Sequence, residues 1–219
     1  MAKATAGVVV IGLGRFGTSL ALELLESDTE VLGIDSDPKT VQALAGTLTH
    51  VVSADSTDEE ALRQLSVHEF ERVVIGIGTN LEASILTASA VLGIGVPHVW
   101  AKAISHSHAR ILEQLGVHHV VRPEHDMGRR VAHLVRGRLL DYIELDEGFA
   151  MVRTRPPDGL LGRPLVETDL RRDHGVTVVA VKRGNEDFTY VTAETVLESG
   201  DQVIVCGRTR NVERFSELR

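Results

Sequence analysis

The sequence predicts an α/β fold, a parallel sheet with helices on both faces, followed by a small α+β domain. Three observations carry this. Apolar runs of four to six residues alternate with stretches of helical periodicity through the first two-thirds of the 219-residue chain. The first run opens directly into a glycine-spaced turn, Gly12-Leu13-Gly14-Arg15-Phe16-Gly17. Beyond residue 142 the pattern changes to short strands interrupted by Gly, Pro and Asp.

The elements follow in order. Residues 7–11 (GVVVI) read as a buried strand, and apolar positions recur at helical spacing over 18–25. A second strand, 30–34, ends in Asp35-Ser36-Asp37-Pro38, and Pro38 suits the first turn of a helix through residue 44. Residues 50–53 form a third strand running to Asp55, and Thr57-Asp58-Glu59-Glu60 has the make-up of a capped helix start. Then come a strand at 72–77, a helix at 81–92 stopped by Gly93, a strand at 96–101 and a helix at 107–115 with Gly116 beyond it. A strand at 118–121 leads into Pro123-Glu124-His125-Asp126-Met127-Gly128. Six strands with five intervening helices fit the doubly wound, Rossmann-type layout.

Residues 127–142 read as one long helix leaving that sheet, so the domains are 5–142 and 143–219. In the second, strands are expected at 149–153, 176–181, 188–191 and 202–206, with turns at 156–159 and 182–187. A short helix is expected at 165–170 and a short turn or helix at 193–197. So small a unit buries a limited core, which makes dimerisation through it physically reasonable.

Composition narrows the function. The chain is 43% hydrophobic and 25% charged, with a formal net charge of −8. It lacks the basic footprint that neutralises phosphates, which weighs against nucleic acid as a partner. The single Cys206 excludes an intrachain disulfide and a cysteine-built zinc site, and fits a reducing cytosol. No basic-then-apolar signal opens the chain, and no apolar run nears the ~20 residues of a membrane helix. A soluble protein is expected, with a membrane-protein partner left open.

The glycine turn is the strongest chemical signal. Gly12 permits the tight turn, Gly14 lets the backbone approach a pyrophosphate, and Gly17 lets helix and strand pack closely. The following helix N-terminus supplies unpaired N–H donors and a favourable dipole. Asp35 lies 18 residues after Gly17, where a carboxylate accepts from ribose hydroxyls and repels the 2′-phosphate of NADP. Arg15, with Phe16 inside the loop, could clamp phosphate or pair with a surface acid. Ser36, Asp55-Ser56 and Gly78-Thr79-Asn80 lie at the carboxyl side of the sheet where adenosine would rest, though Asp55 and Asn80 also read as helix caps. Glu124 could complement a helix N-terminus or hold a hard divalent cation, Mg²⁺ or Ca²⁺.

His106-x-His108 and His118-His119 lack the further ligands of a metal set and read as surface or boundary histidines. No Ser-His-Asp order or acid pair presents itself as catalytic, so the sequence points to a non-enzyme. An NAD-dependent oxidoreductase is the alternative from another class.

The runs Val10 to Gly17 and Val121 to Gly128, with Asn80 to Ser84 and Val99 to Ala103, resemble the regulatory subunits of Ktr/Trk potassium uptake systems. These carry an RCK N-terminal domain followed by an RCK C-terminal domain. The resemblance implies homodimers that assemble into an octameric ring beneath a membrane potassium-translocating subunit, peripheral to the inner face of the cell membrane. It implies activation by ATP and deactivation by ADP, with NAD(H) the alternative for Trk-type relatives. It places Arg15 near ATP phosphates across the dimer, Asp35 on ribose, Glu124 near a divalent cation and Lys102 on the nucleotide side. Some relatives bind cyclic di-AMP in the C-terminal domain. Here Thr177 stands where relatives tend to have Asn, and Thr192 near where they have Pro, which weighs against that ligand. Arg171 and Arg172 are candidates for a second, phosphate-touching site or are exposed helix charges.

Overall fold

The computed structural model describes residues 5–136 and 138–218. The chain divides into two compact units, 1–124 and 125–219. In the first, β1 (Thr5–Ile11), β2 (Val31–Asp35), β3 (His50–Ser53), β4 (Phe70–Ile75), β5 (His98–Lys102) and β6 (His119–Val121) alternate with α1 (Arg15–Glu26), α2 (Pro38–Leu44), α3 (Glu59–Gln64), α4 (Leu81–Gly93) and α5 (His106–Leu115). All six strands are parallel, in the order β3-β2-β1-β4-β5-β6. That is the doubly wound order of a Rossmann-type sheet, as expected.

The run GVVVI is apolar at every position because both faces of β1 are covered. Val8 and Val10 join Leu13 and Ala21 of the α1 side in one core, while Val9 and Ile11 join Ile75, Leu62 and Leu112 in the other. The helix ends follow the sequence closely. Pro38 sits in the first turn of α2 behind the Asp37 cap, Asp58 caps α3, and Gly116 (φ 94°) ends α5.

The long helix expected over 127–142 is not formed. Helix α6 (Pro123–Arg136) ends earlier, and β7 (Asp141–Asp146) pairs antiparallel with β8 (Phe149–Thr154) across a turn at Gly148 (φ 78°). Tyr142 is buried and Ile143 exposed, the alternation of an edge strand. Ion pairs Arg129–Glu144 and Arg130–Asp141 then tie α6 to β7. The remaining elements are α7 (Leu170–Asp173), β9 (Val176–Lys182), β10 (Thr189–Tyr190), β11 (Gln202–Arg208) and α8 (Thr209–Glu217). The sheet order is β10-β9-β11-β8-β7. The helix expected at 165–170 is instead a 3-10 turn, Leu165–Glu167, then α7 beginning after left-handed Asp169 (φ 47°). The strand expected at 188–191 shrinks to two residues; of the turn or helix expected at 193–197 the turn forms, closed by Thr195 N–H on the Thr192 carbonyl at 3.2 Å, before Val196 bridges to Pro164 and Leu197 to Leu161. Val205, Val152, Leu197 and Phe215 of α8 share this unit's core.

Candidate nucleotide site

The glycine loop joins β1 to α1 at the carboxyl edge of the sheet. Gly12 has φ 88°, a conformation that side chains disfavour, and a Cβ there would lie 2.9 Å from the Ile77 backbone nitrogen. A Cβ on Gly17 would lie 2.0 Å from the Gly12 carbonyl oxygen, so only glycine lets α1 pack so closely on its own loop. Gly14 differs: its φ is −68°, and a Cβ would meet nothing within 4 Å. Gly14 is the N-cap of α1 and supplies no side-chain cap, so no cap side chain satisfies the first-turn N–H groups, and the space beside its Cα is open. This is an arrangement able to receive an anion.

Asp35 closes the loop from β2. Its Oδ2 accepts from the Leu13 N–H at 2.6 Å and its Oδ1 from the Asp37 N–H at 2.9 Å. The carboxylate therefore holds the glycine loop in place, and each oxygen retains acceptor capacity for a hydroxyl. Arg15 is exposed and forms no ion pair among the described residues.

Beside the loop lies an open cleft of about 620 Å³ at the ends of β2, β3 and β4. Ser36, Asp55 and Asn80 line it together with Thr57, Ala83 and Leu86. Both caps expected from sequence are formed locally. Asp55 accepts from the backbone and hydroxyl of Thr57, which hold its carboxyl below the usual carboxylate range, and Asn80 caps α4 through the Ala83 N–H. Thr79 is exposed in the β4–α4 connection. Ser56 is not available to this cleft: it is buried, and its hydroxyl shares a 2.8 Å hydrogen bond with Thr87 of α4.

A second cluster forms across the ends of β4, β5 and β6. Lys102 is buried, and its Nζ lies 2.6 Å from Glu124 Oε1 and 5.6 Å from the Phe16 ring centroid. A Cβ on Gly78 would come within 3.3 Å of the same Nζ. The hydrogen bond from Lys102 holds the Glu124 carboxyl below its usual range, and the charges of Lys102 and Arg15 act in the same direction. One oxygen of Glu124 is thus committed to an ammonium. No group of three or more His, Cys, Asp or Glu is placed to hold a metal among the described residues. Histidines 108 and 118 serve the backbone instead: each Nδ1 accepts an N–H, from Ile104 and Val99 respectively.

Gly76 is a site residue that spacing alone does not single out. A Cβ there would lie 2.8 Å from the Gly12 oxygen, so Gly76 lets β4 run beneath the loop. The available signal is the run Gly76-Ile77-Gly78, in which only the second glycine stands next to polar residues.

In the second unit a cleft of about 540 Å³ is lined by Leu165, Asp169, Arg171, Arg172, Thr177 and Thr192, among others. Arg171 Nε donates to Thr177 at 3.0 Å, while Arg172 is engaged by Asp169 and Asp173. The two arginines and both departures from the resembled pattern therefore meet at one place.

The TrkA-N domain family matches residues 8–123 and the TrkA-C domain family matches 149–219. The chain belongs to this family. It is similar to Ktr system potassium uptake protein C of Bacillus subtilis (strain 168), 38% identical over 209 residues and covering 95% of each chain. Ktr system potassium uptake protein A of Vibrio alginolyticus is 37% identical over 199 residues, covering 90% of each. Among solved structures, the RCK domain of GsuK superposes with a TM-score of 0.68 at 17% identity, over 99% of this chain and 49% of that one. The GsuK channel bound to NAD superposes at 0.53 with 23% identity over 96% of this chain and 38% of that chain; the ADP-bound GsuK does so at 0.51 with 18% identity over 59% and 34%. At these identities the likeness shows the RCK fold. No helix among the described residues is long and apolar enough to cross a membrane.

Proposed function

We propose that this chain is a non-enzymatic, nucleotide-sensing regulatory subunit of a Ktr-type potassium uptake system. The observation that carries the reading is the loop itself: Gly17 and Gly12 admit no side chain, while Gly14 faces open space beneath uncapped N–H groups. Its support at the level of partners is the kinship with Ktr uptake proteins C and A. In this reading the protein works at the inner face of the membrane, as homodimers in a ring of eight bound to the translocating subunit. The first domain binds nucleotide, and the second, whose compact unit begins at residue 125 and takes in β7, regulates and dimerises.

Adenosine would occupy the cleft of Ser36, Asp55 and Asn80, its ribose would meet Asp35, and its phosphates the Gly14–Gly17 turn. In this reading ATP activates and ADP deactivates, as the resemblance to Ktr subunits implies, and each must bind the two ring shapes unequally for gating to follow. Arg15 is the residue placed to read the terminal phosphate. A divalent cation, Mg²⁺ or Ca²⁺, would take Glu124 as one ligand and find the rest in phosphate and water oxygens. NAD(H) is the second reading, favoured by the likeness in fold to the GsuK channel bound to NAD.

A calorimetric panel of ATP, ADP, NAD⁺, NADH and cyclic di-AMP, with and without Mg²⁺ or Ca²⁺, tests this. Binding of ATP and ADP at the first unit is the expected result. A protein indifferent to every nucleotide would sink the proposal. A substrate-dependent change in nicotinamide absorbance would replace it with an oxidoreductase.

A further inference from the structure

Between α5 and the β6 edge of the first sheet lies a cleft of about 490 Å³, lined by His106, Ser107, Arg110, Glu113, Val120 and Arg122, among others. It shares no residue with the cleft of Ser36, Asp55 and Asn80. In a chain of formal net charge −8 carboxylates are plentiful, and Arg63, Arg129, Arg130, Arg172 and Arg183 each sit against one. The two arginines of this cleft do not. Arg110 is exposed and makes no hydrogen bond or ion pair among the described residues. Arg122 is half-buried and engages only a ring: its Nη1 lies 2.8 Å from His106 Nδ1 and 3.1 Å from Nε2. Its Nε and Nη2, the planar fork that matches an oxyanion, have no protein acceptor among the described residues. Glu113 borders the cleft but pairs with neither arginine. Ser105 caps α5 through the His108 N–H, so the positive end of that helix is set at His106 and Ser107, on the same cleft.

We propose that this cleft is a second ligand site, for a phosphomonoester. Arg110 and Arg122 take the phosphate dianion through charge-assisted hydrogen bonds, and Ala109 and Val120 border the room left for the esterified group. Two guanidiniums and a helix N-terminus outweigh the single carboxylate of Glu113 for a doubly charged ligand. The site stands whether or not the glycine loop holds a nucleotide.

The test is calorimetry on the full chain with glycerol 3-phosphate in about 0.1 M NaCl, where a Debye length of about 10 Å screens non-specific attraction. Wild type should bind the ester saturably, and inorganic phosphate should compete with it. Arg110→Gln and Arg122→Gln should each weaken the ester at least about tenfold. Glu113→Gln should strengthen it about threefold, since a like charge leaves the cleft. None of the three residues is buried, so the melting temperature should hold in each variant, and the affinity for ATP with it. A wild-type chain that fails to bind the ester, or binds it as tightly without either arginine, overturns the proposal. So does a loss of ATP in parallel with the ester, because both ligands would then share the glycine loop. Weaker binding in Glu113→Gln, or no competition by phosphate, overturns it as well. Should an arginine variant lose its cooperative melt, the direction of the Glu113→Gln change and the phosphate competition decide.

Discussion

At the scale of single residues, the three glycines of the loop separate folding from binding. Gly17→Ala places a Cβ 2.0 Å from the Gly12 oxygen and should cost about 3 kcal/mol, read as a lowered denaturation midpoint. Gly14→Ala meets no atom within 4 Å, so its melting should be unchanged. Nucleotide affinity should nevertheless fall about tenfold, because the added methyl stands where phosphate oxygens approach the helix N-terminus. Unchanged affinity in a folded Gly14→Ala protein would place the phosphates elsewhere. Arg15, exposed and without an ion pair among the described residues, is free to answer the terminal phosphate. Arg15→Ala should weaken ATP about tenfold and ADP distinctly less, by calorimetry; equal losses would remove Arg15 from that role. Sequence spacing finds these residues because loop, strand end and helix start are local. It cannot find the Lys102–Glu124 contact, whose partners are 22 residues apart on different strand ends.

At the scale of elements, α5 carries a proton-linked feature. His108 is 1% exposed, its Nδ1 accepts from Ile104, and its Nε2 has no partner among the described residues. Burial pushes the imidazole below its ordinary value. The unfolded chain then takes up a proton near pH ~6.5 that the folded chain refuses. This group's contribution is therefore complete above about pH 6.5 and is lost progressively as the pH falls from there toward the lowered folded value. Melting temperatures at about pH 8 and about pH 5.5 should differ more for wild type than for His108→Leu, which has nothing to titrate. An identical pH dependence in the two would discard the assignment. Strand β7 teaches the complementary lesson. In the sequence Gly137 directly follows Arg136, the same residue type that follows α5 at Gly116, and a helix expected over 127–142 runs through that signal. What makes 141–146 a strand is its pairing with β8 and the burial of Tyr142 beneath His133, a ring stack at 4.0 Å. Those contacts are tertiary, and they override a weak local preference.

At the scale of the whole molecule, α6 carries an apolar stripe at four-residue spacing. Met127, Val131 and Val135 are 53, 44 and 77% exposed. In the proposed homodimer this stripe is a surface for a second copy to cover. Sedimentation velocity on Val131→Glu should show a shift from dimer toward monomer, with each unit's melting retained. A dimer that survives this charge would place the interface on another face. Switching between ring shapes asks only that nucleotides bind the shapes unequally, and the residues that differ in reach between ATP and ADP are those of the loop and the Lys102–Glu124 cluster.

The alternation of apolar runs with helical periods, and the glycine turn at its first joint, determined the parallel sheet, its strand order and the location of the cleft. Those are consequences of short-range spacing, because each βαβ unit is assembled from neighbours in the chain. Tertiary structure alone decided that Ser56 turns into the core toward Thr87, that Asp35 braces the loop through Leu13, and that β7 exists at all. It also decided what the glycine loop is set against. A buried ammonium of β5, one exposed carboxylate of α6 and an aromatic ring of α1 meet there, and only folding brings these three elements together.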